Sequence, residues 1–212
     1  MTAADGTAAS PDATAQARRP VWRSIAAMGT GMVGGSLVLL SSARLRRADV
    51  RMGDLVRRSR SGPSDRMIAA ATDLGSMYGV VGTAAALGAA GYRRLARDVV
   101  VIGSAAWLVA QGAKTWVRRE RPYDADGVAR LIRPPTGSSY PSGHAAVTAA
   151  MMSVIAADGD RTVRLLAGGL AVFVAASRVY VGVHYPSDVL GGAGMGLLLA
   201  RAWRAIRRAL AD

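Results

Sequence analysis

The chain has 212 residues, enough for one domain, and 51 % of them are hydrophobic. Its apolar residues are mainly Ala, Gly, Val and Leu with a single Phe, a composition typical of helices that pack closely in a bilayer and not of a soluble core. Cys is absent, which excludes disulfides and thiolate metal sites. The formal net charge is +13, and the arginines cluster at the ends of apolar stretches. This charge therefore favours an anionic membrane surface over nucleic acid as a partner.

The first 66 residues divide into a tail, a hydrophobic segment and a basic segment. Residues 1–22 are rich in Ala, Thr, Asp and Pro without periodicity, and we expect a disordered tail. The apolar stretch 25–42 lies between Arg23 and Arg44, which predicts a transmembrane helix; a cleaved signal peptide is the alternative. We therefore assign 23–66 to a first transmembrane helix and the connector that follows it.

The connector is rich in arginine. Apolar side chains recur through it at helical spacing: Leu45, Ala48, Met52, Leu55 and Val56. Arginines fill many of the positions between them, a pattern that predicts an amphipathic helix lying on anionic lipid head groups. A solvated, charged connector is the alternative interpretation.

The rest of the chain, 67–212, alternates apolar segments with polar turns. The apolar segments lie at 67–90, 99–113, 145–157, 163–176 and 189–203. Together with 25–42 they predict an all-α bundle of six transmembrane helices. Glycines four residues apart, as at Gly192 and Gly196, indicate close contacts between these helices. The polar, Pro-rich stretch 118–143 is too long for a simple turn, and loops of that length are usually functional.

Three polar clusters interrupt the apolar pattern, each at the end of a predicted helix. They are Lys114 with Arg121-Pro122, then Pro141-Ser142-Gly143-His144, and finally Ser177-Arg178 with His184 and Asp188. Lys114 is the only lysine among 27 basic residues, and both histidines of the chain lie in these clusters. Charged side chains are costly within a membrane, so ionisable residues in such places indicate a functional site.

The clusters contain groups that bind phosphate. Lys114, Arg121 and Arg178 are cations, and the planar forks of the arginines match phosphate oxygens. Ser142 and Gly143 precede an apolar helix, so their backbone N–H groups would form an anion site at its N-terminus. The sequence therefore predicts a phosphate-binding site.

The clusters also contain groups for catalysis. His184 and Asp188 are four residues apart and share one face if that stretch is helical. The carboxylate can then hold the imidazole in one tautomer and stabilise the cation formed on attack. His144 is a second titratable group, suited to protonating a leaving oxygen. With no carboxylate cluster to bind Mg²⁺, we expect phosphoryl transfer without a metal or another cofactor.

The residue types and spacing of the three clusters resemble the three-part signature of the type 2 phosphatidic acid phosphatase (PAP2) superfamily. Every signature position is matched in order, and the resemblance spans residues 67–203. It implies an all-helical core of six helices, no required metal, and His184 as a nucleophile that forms a phosphohistidine. Asp188 would be its partner and His144 the general acid. The phosphoryl group would be held by Lys114, Arg121, Ser142, Gly143 and Arg178.

The resemblance and the hydropathy together predict a membrane lipid phosphatase acting on a polyprenyl phosphate or diphosphate, or on a phosphatidyl-type lipid. The same superfamily includes vanadate-dependent haloperoxidases, which are soluble and larger, and a non-catalytic protein that binds anionic lipids is a further alternative. Bacterial members place the site on the outer face of the plasma membrane, which implies the same location here. Counting the arginines on each side leaves the orientation open.

Overall fold

The computed structural model describes residues 11–211, with side chains from Arg23 onward, and every regular element in this range is helical. The helices in chain order are α1 (Pro11–Leu40), α2 (Ala43–Arg57), α3 (Gly62–Ala71), α4 (Met77–Ala89), α5 (Arg93–Val117), α6 (Pro122–Ala125), α7 (Gly143–Ala157), α8 (Arg161–Tyr180) and α9 (Pro186–Ala209). A 3₁₀ turn, Thr72–Gly75, lies between α3 and α4. The predicted all-α class is confirmed.

Three helical stretches are long and apolar enough to cross a membrane: Arg23–Leu40, Arg93–Ala125 and Arg161–Tyr180. Helices α4 and α7 are apolar but shorter, with 13 and 15 residues. The predicted count of six transmembrane helices is therefore not confirmed. One physical reason is visible in the expected span 67–90, which is not a single continuous helix. The 3₁₀ turn ends α3, and Ser76 caps the start of α4.

Helix α1 extends further toward the N-terminus than the sequence predicts. It begins at Pro11, so residues 11–22, which we expected to be disordered, are helical, whereas residues 1–10 lie outside the described residues. Proline is tolerated in the first turn of a helix, where its missing N–H is not needed. The alanines that follow it in the sequence have high helix propensity.

Helix α1 packs against α9 through two glycines. Gly29 and Gly194 bring the backbones so close that a Cβ on Gly194 would lie 2.7 Å from the carbonyl oxygen of Gly29. Toward the other end of α1, the hydroxyl of Ser36 is hydrogen-bonded to that of Tyr140 at 2.8 Å. These contacts build α1 into the bundle.

The long helices run up and down, so the bundle has two ends. At one end, Asp98 near the start of α5 accepts a hydrogen bond from Trp203 Nε1 at 3.3 Å and forms an ion pair with Arg207, both near the end of α9. At the other end, α5 and α8 finish while α7 and α9 begin. All three polar clusters lie at this second end, as the sequence predicts.

Helix α7 lies at the centre of the bundle, in contact with α5, α8 and α9. Its apolar residues from Ala145 to Met152 are buried. Small residues let α9 approach closely, because a Cβ on Gly192 or Gly196 would lie 2.3 Å from a carbonyl oxygen at the start of α7. The close contact predicted at this glycine pair is confirmed.

Gly192→Ala is expected to destabilise the protein. The new Cβ would lie 2.3 Å from the carbonyl oxygen of Ser142, so the two helices must separate. The expected loss is about 1–3 kcal/mol of unfolding free energy. Gly168→Ala in α8 is the matched control, since a Cβ there meets nothing within 4 Å in the described part of the chain. Thermal unfolding in detergent, followed by circular dichroism, measures both, and equal midpoints for the two variants would contradict this packing.

Candidate active site

The three polar clusters come together at one end of the bundle. The N–H of Ser142, directly before α7, donates to the carbonyl oxygen of Asp188 in α9 at 2.9 Å. Nη1 of Arg121, from the first cluster, lies 3.5 Å from Nε2 of His184 in the third. Residues far apart in the sequence therefore lie together at this end of the bundle.

His184 lies in the connection between α8 and α9 and is 2 % exposed. Its Nδ1 atom is 3.6 Å from Oδ2 of Asp188, an ion-pair distance longer than a hydrogen bond. The two residues do not share a helix face, because α9 begins only at Pro186 and His184 approaches the helix from the loop. Contacts of this kind commonly tighten when a substrate binds.

The carboxylate of Asp188 is fully buried in the first turn of α9, and both of its oxygens accept hydrogen bonds. Oδ1 accepts from Nη1 of Arg119 at 2.6 Å. Oδ2 accepts from the hydroxyl of Ser139 at 2.5 Å and from the N–H of Tyr185 at 2.8 Å. A carboxylate fixed beside Nδ1 favours the tautomer with the proton on Nδ1, which leaves the lone pair of the imidazole on Nε2.

The surroundings of His184 keep its ring neutral. Burial lowers the pKa of His184 to about 4, although the Asp188 carboxylate raises it. The positive charges of Arg121 and Arg178 lower it further. At neutral pH the ring is therefore unprotonated at Nε2, and a neutral imidazole with a free lone pair is a nucleophile.

Arg178, in the last turn of α8, is a buried cation oriented by the 3₁₀ turn. It is 1 % exposed, and its Nη1 donates to the hydroxyl of Thr72 at 2.9 Å. That hydroxyl is also hydrogen-bonded to Ser177 at 2.7 Å. Nε of Arg178 is buried with no hydrogen-bond partner among the described residues. A buried cation with an unused N–H is costly for the fold, so its retention indicates an anionic ligand.

Arg121, directly before α6, is held by backbone carbonyl groups. Nη1 donates to Val183 at 2.9 Å, Nε to Gly137 at 3.0 Å and Nη2 to Thr136 at 3.2 Å. These bonds join the loop before α7 to the connection that carries His184. The sequence predicts a phosphate ligand at this position, and the structure adds that the same side chain holds two loops together.

The start of α7 offers one backbone donor fewer than the sequence predicts. The N–H of Ser142 donates to the carbonyl oxygen of Asp188, because α9 packs closely against the start of α7. Gly143 is the first residue of α7, and its N–H has no partner within the helix. The hydroxyl of Ser142 is buried and has no partner within residues 23–211. Lys114, in the last turn of α5, is close enough to the two arginines of the clusters for their charges to interact.

His144, in the first turn of α7, is the more accessible of the two histidines, with a side chain that is 25 % exposed. Its Nε2 atom lies 3.7 Å from Oδ1 of Asp73, which belongs to the 3₁₀ turn. Burial lowers the pKa of His144 to about 2, and the positive charges of Arg178, Lys114 and Arg121 lower it as well. The ring is therefore neutral without substrate, and the negative charge of a bound phosphate would favour the protonated form that a general acid needs.

Two charged residues outside the predicted set complete the site. Arg119 lies over the ring of Tyr185, at 3.8 Å from its centroid, and forms ion pairs with Asp188 at 2.6 Å and with Asp49 of α2 at 2.8 Å. In the sequence, Arg119 is one of several arginines at a membrane boundary, so nothing distinguishes it. Asp49 has a weak signal, because an acidic residue four positions after Leu45 lies on the inward face of a basic helix.

The site has an excess of positive charge. The charged groups of the site are Lys114, Arg119, Arg121, Arg178, Asp49, Asp73 and Asp188. Four cations and three carboxylates leave a net positive charge, which suits a phosphate monoester, an anion at neutral pH. No group of three or more His, Asp or Glu side chains placed to hold a metal ion occurs in the described part of the chain.

The fold and the site together define a helical-bundle protein of the membrane type with an anion site at one end. Residues 94–211 match the family model of the PAP2 superfamily. This match covers more than half of the chain, and the protein belongs to the PAP2 superfamily, as its three clusters predict.

Two relatives are similar over part of their length. Phosphatidylglycerophosphatase B of Bacillus subtilis is 40 % identical over 102 residues, which cover 43 % of this chain and 48 % of the relative. Decaprenylphosphoryl-5-phosphoribose phosphatase of Mycobacterium tuberculosis is 37 % identical over 115 residues, which cover 53 % of this chain and 63 % of the relative. The matches therefore span less than two thirds of either relative.

A solved structure is similar over most of its length. The crystal structure of a transmembrane PAP2-type phosphatidylglycerolphosphate phosphatase from Bacillus subtilis superposes with a TM-score of 0.74 and 26 % sequence identity. The superposition covers 86 % of this chain and 96 % of that one. The arrangement of helices described above is therefore that of a membrane phosphatase fold.

Proposed function

We propose that this protein is an integral membrane phosphatase that removes phosphate from a lipid phosphomonoester or diphosphate through a phosphohistidine on His184. The observation that carries the proposal is the burial of the His184 ring beside the Asp188 carboxylate, with Nε2 facing Arg121 in a site of excess positive charge. An imidazole held in this way can attack phosphorus while the cations offset the charge of the phosphoryl oxygens.

In the first half-reaction, Nε2 of His184 forms a bond to phosphorus as the bond from phosphorus to the lipid oxygen breaks. Asp188 stabilises the positive charge that develops on the ring. His144 gives a proton to the departing oxygen, so the lipid leaves as an alcohol from a monophosphate and as a lipid monophosphate from a diphosphate. The phosphoryl oxygens are bound by Lys114, Arg121, Arg178, the hydroxyl of Ser142 and the N–H of Gly143.

In the second half-reaction, water attacks the phosphohistidine. His144, now unprotonated, takes a proton from the water as the new oxygen–phosphorus bond forms. The nitrogen–phosphorus bond breaks, inorganic phosphate leaves, and both histidines return to their starting states. The cations of the chain supply the electrostatic stabilisation that metal ions supply in many other phosphoryl transfers.

The relatives support a phosphorylated lipid as the substrate. They are named as phosphatases of phosphatidylglycerophosphate and of decaprenylphosphoryl-5-phosphoribose, two lipids of different chemistry. We propose a substrate of this kind for this chain, either a polyprenyl phosphate or diphosphate or a phosphatidyl-type lipid.

Helix α2 supports a location of the site at the membrane surface. Met52 and Leu55 on this helix are 51 % and 61 % exposed, and Arg47 and Arg51 beside them are exposed as well. A helix of this kind lies in the interface, with apolar side chains toward the acyl chains and arginines against anionic head groups. It follows α1 at the end of the bundle that carries the site.

We propose that the site faces the extracytoplasmic side of a bacterial plasma membrane. Once the arginines of α2 are assigned to the interface, the remaining arginines near the ends of apolar helices concentrate at the opposite end of the bundle: Arg93, Arg94, Arg97, Arg161, Arg164, Arg201, Arg204, Arg207 and Arg208. The positive-inside rule then puts that opposite end in the cytoplasm.

Purified protein is expected to release phosphate from at least one member of a lipid panel: phosphatidate, phosphatidylglycerophosphate, polyprenyl phosphate and polyprenyl diphosphate. Release should be unchanged by EDTA, because the cations are part of the chain. It should be blocked by orthovanadate, which resembles five-coordinate phosphorus. Activity that is lost with EDTA and restored by one metal would contradict the mechanism. Lipid binding with no phosphate release from any substrate would instead indicate a non-catalytic lipid-binding protein.

A further inference from the structure

We propose that Arg119 and Asp49 position the nucleophile: Asp49 holds Arg119 from helix α2, and Arg119 fixes the Asp188 carboxylate so that one oxygen faces His184. This inference rests on the proposed phosphatase mechanism. Arg119 and Asp49 are positioning residues, because they act on the imidazole through Asp188.

The guanidinium of Arg119 bridges two buried carboxylates. Nη1 donates to Oδ1 of Asp188 at 2.6 Å and to the hydroxyl of Ser187 at 2.7 Å. Nη2 donates to Oδ2 of Asp49 at 2.8 Å. Asp49 in turn accepts a hydrogen bond from the N–H of Ser187 at 2.9 Å, and also one from its hydroxyl. These bonds form a closed ring between α2, the segment after α5 and the first turn of α9.

The ring is shielded from water and held on its open side by an aromatic residue. Asp49, Ser187 and Asp188 are fully buried, and the side chain of Arg119 is 12 % exposed. The guanidinium stacks on Tyr185 at 3.8 Å from the ring centroid, and the hydroxyl of Tyr185 is itself anchored. Arg119 therefore has one orientation available.

The two carboxylate oxygens of Asp188 have different partners. Oδ1 is held by Arg119, while Oδ2, which also accepts from Ser139 and Tyr185, lies 3.6 Å from Nδ1 of His184. Without the bond to Oδ1, only the two bonds to Oδ2 would hold the carboxylate, and its orientation toward the imidazole would be less closely fixed.

Asp49 also sets the charge beside the nucleophile. Arg119 alone would neutralise Asp188, but its guanidinium also forms an ion pair with Asp49. Together Arg119, Asp49 and Asp188 therefore carry a net negative charge. The other charged or titratable groups near His184 are the positive Arg121, Arg178 and Lys114 and the ring of His144. The uncompensated negative charge is therefore what stabilises the cation that forms on His184 during attack.

The first test is kinetic. Both amino groups of Arg119 are bound to other side chains of the ring, so Arg119→Gln should reduce kcat by about 10²-fold through misplacement of the nucleophile, with KM little changed. Arg207→Gln is the matched control, since Arg207 also pairs with a buried aspartate, Asp98, but at the opposite end of the bundle. The control should keep wild-type kcat.

The second test measures the pKa of His184 directly and does not depend on enzyme activity. The chain has two histidines, so labelled histidine in the His144→Ala background gives the NMR signal of the His184 ring alone. Arg119→Gln should raise the pKa of His184 by about one unit or more, because Asp188 loses its positive neighbour. Asp49→Asn should lower the pKa of His184 and reduce kcat, because the positive charge of Arg119 is then offset by Asp188 alone. Arg207→Gln should leave the titration unchanged.

An unchanged His184 titration in both Arg119→Gln and Asp49→Asn would overturn the proposal, even if kcat falls, because the residues would then be structural only. If Arg119→Gln does not fold, the nearly isosteric Asp49→Asn decides alone, by the same criterion. If the titrations shift as expected but the wild-type protein hydrolyses no lipid phosphate, the proposed function is wrong and the coupling of Arg119 to His184 stands.

Discussion

His184→Ala is expected to abolish the hydrolysis of every lipid phosphate that the wild-type protein accepts. The variant retains the cations but has no group that can attack phosphorus from the position of Nε2. Loss of a catalytic nucleophile commonly reduces kcat by about 10⁴-fold or more, and binding of the substrate should be affected far less. Phosphate release at saturating lipid measures kcat, and turnover near the wild-type rate would contradict the assignment of His184.

Asp188→Asn extends this prediction to the partner of the nucleophile. An amide side chain has no negative charge for Arg119 or for the developing cation on His184, and it no longer selects the tautomer with the proton on Nδ1. We expect kcat to fall by about 10²–10⁴-fold. Asp98→Asn is the matched control, because Asp98 is also buried and paired with an arginine but lies at the opposite end of the bundle. A variant of Asp188 as active as this control would show that the carboxylate has no part in the reaction.

His144→Ala is expected to reduce the hydrolysis of lipid monophosphates more than that of lipid diphosphates. A lipid alkoxide is a poor leaving group and needs a proton as its bond to phosphorus breaks, whereas the group that leaves a diphosphate is itself a phosphate. General-acid catalysis contributes about 10²–10⁴-fold, and the contribution is largest where the leaving group is worst. The position of His144 beside Asp73, at the more open side of the site, agrees with this role.

The measurement is the ratio of kcat/KM for matched mono- and diphosphate lipids with the same acyl or prenyl chain. The ratio should fall in His144→Ala. Asp73→Asn should change the ratio in the same direction by a smaller factor, because it removes the carboxylate that lies beside Nε2 of His144. An unchanged ratio in His144→Ala would mean that His144 binds phosphate and does not donate the proton.

The sequence predicts which polar residues lie close together better than it predicts where the helices begin and end. The residues of the clusters are polar side chains at the ends of apolar segments, and the cost of charge near a membrane leaves few reasons for them to be there. His184 and Arg121 are an example, because they are 63 positions apart in the chain and are neighbours in the structure. Helix boundaries depend instead on local geometry. The interruption at Thr72–Gly75 follows from a cap at Ser76 and the close packing of Gly75 on α7 and α8, and composition alone does not reveal such contacts.

The groups that the sequence does not reveal are those that act through other side chains. Arg119 is surrounded in the sequence by Arg118 and Arg121, and only the fold shows that its guanidinium turns toward Asp49. The sequence also does not reveal that the N–H of Ser142 already has a partner. It donates to the carbonyl oxygen of Asp188, because Gly192 lets α9 cross close to the start of α7. Partners of this kind are selected by the packing of helices that are distant in the chain, so no local pattern marks them.

The most direct test of the mechanism is to trap the phosphorylated enzyme. Purified protein would be mixed with lipid substrate labelled in the phosphate that is removed, quenched in alkali within the first turnover, digested and analysed by mass spectrometry. We expect an acid-labile, alkali-stable phosphoryl group on His184. It should accumulate in His144→Ala with a diphosphate substrate, because this variant lacks the base for the second step. It should be absent from His184→Ala. Turnover by the wild-type protein with no phosphoryl group on His184 under these conditions, or with the group on another residue, would contradict the account.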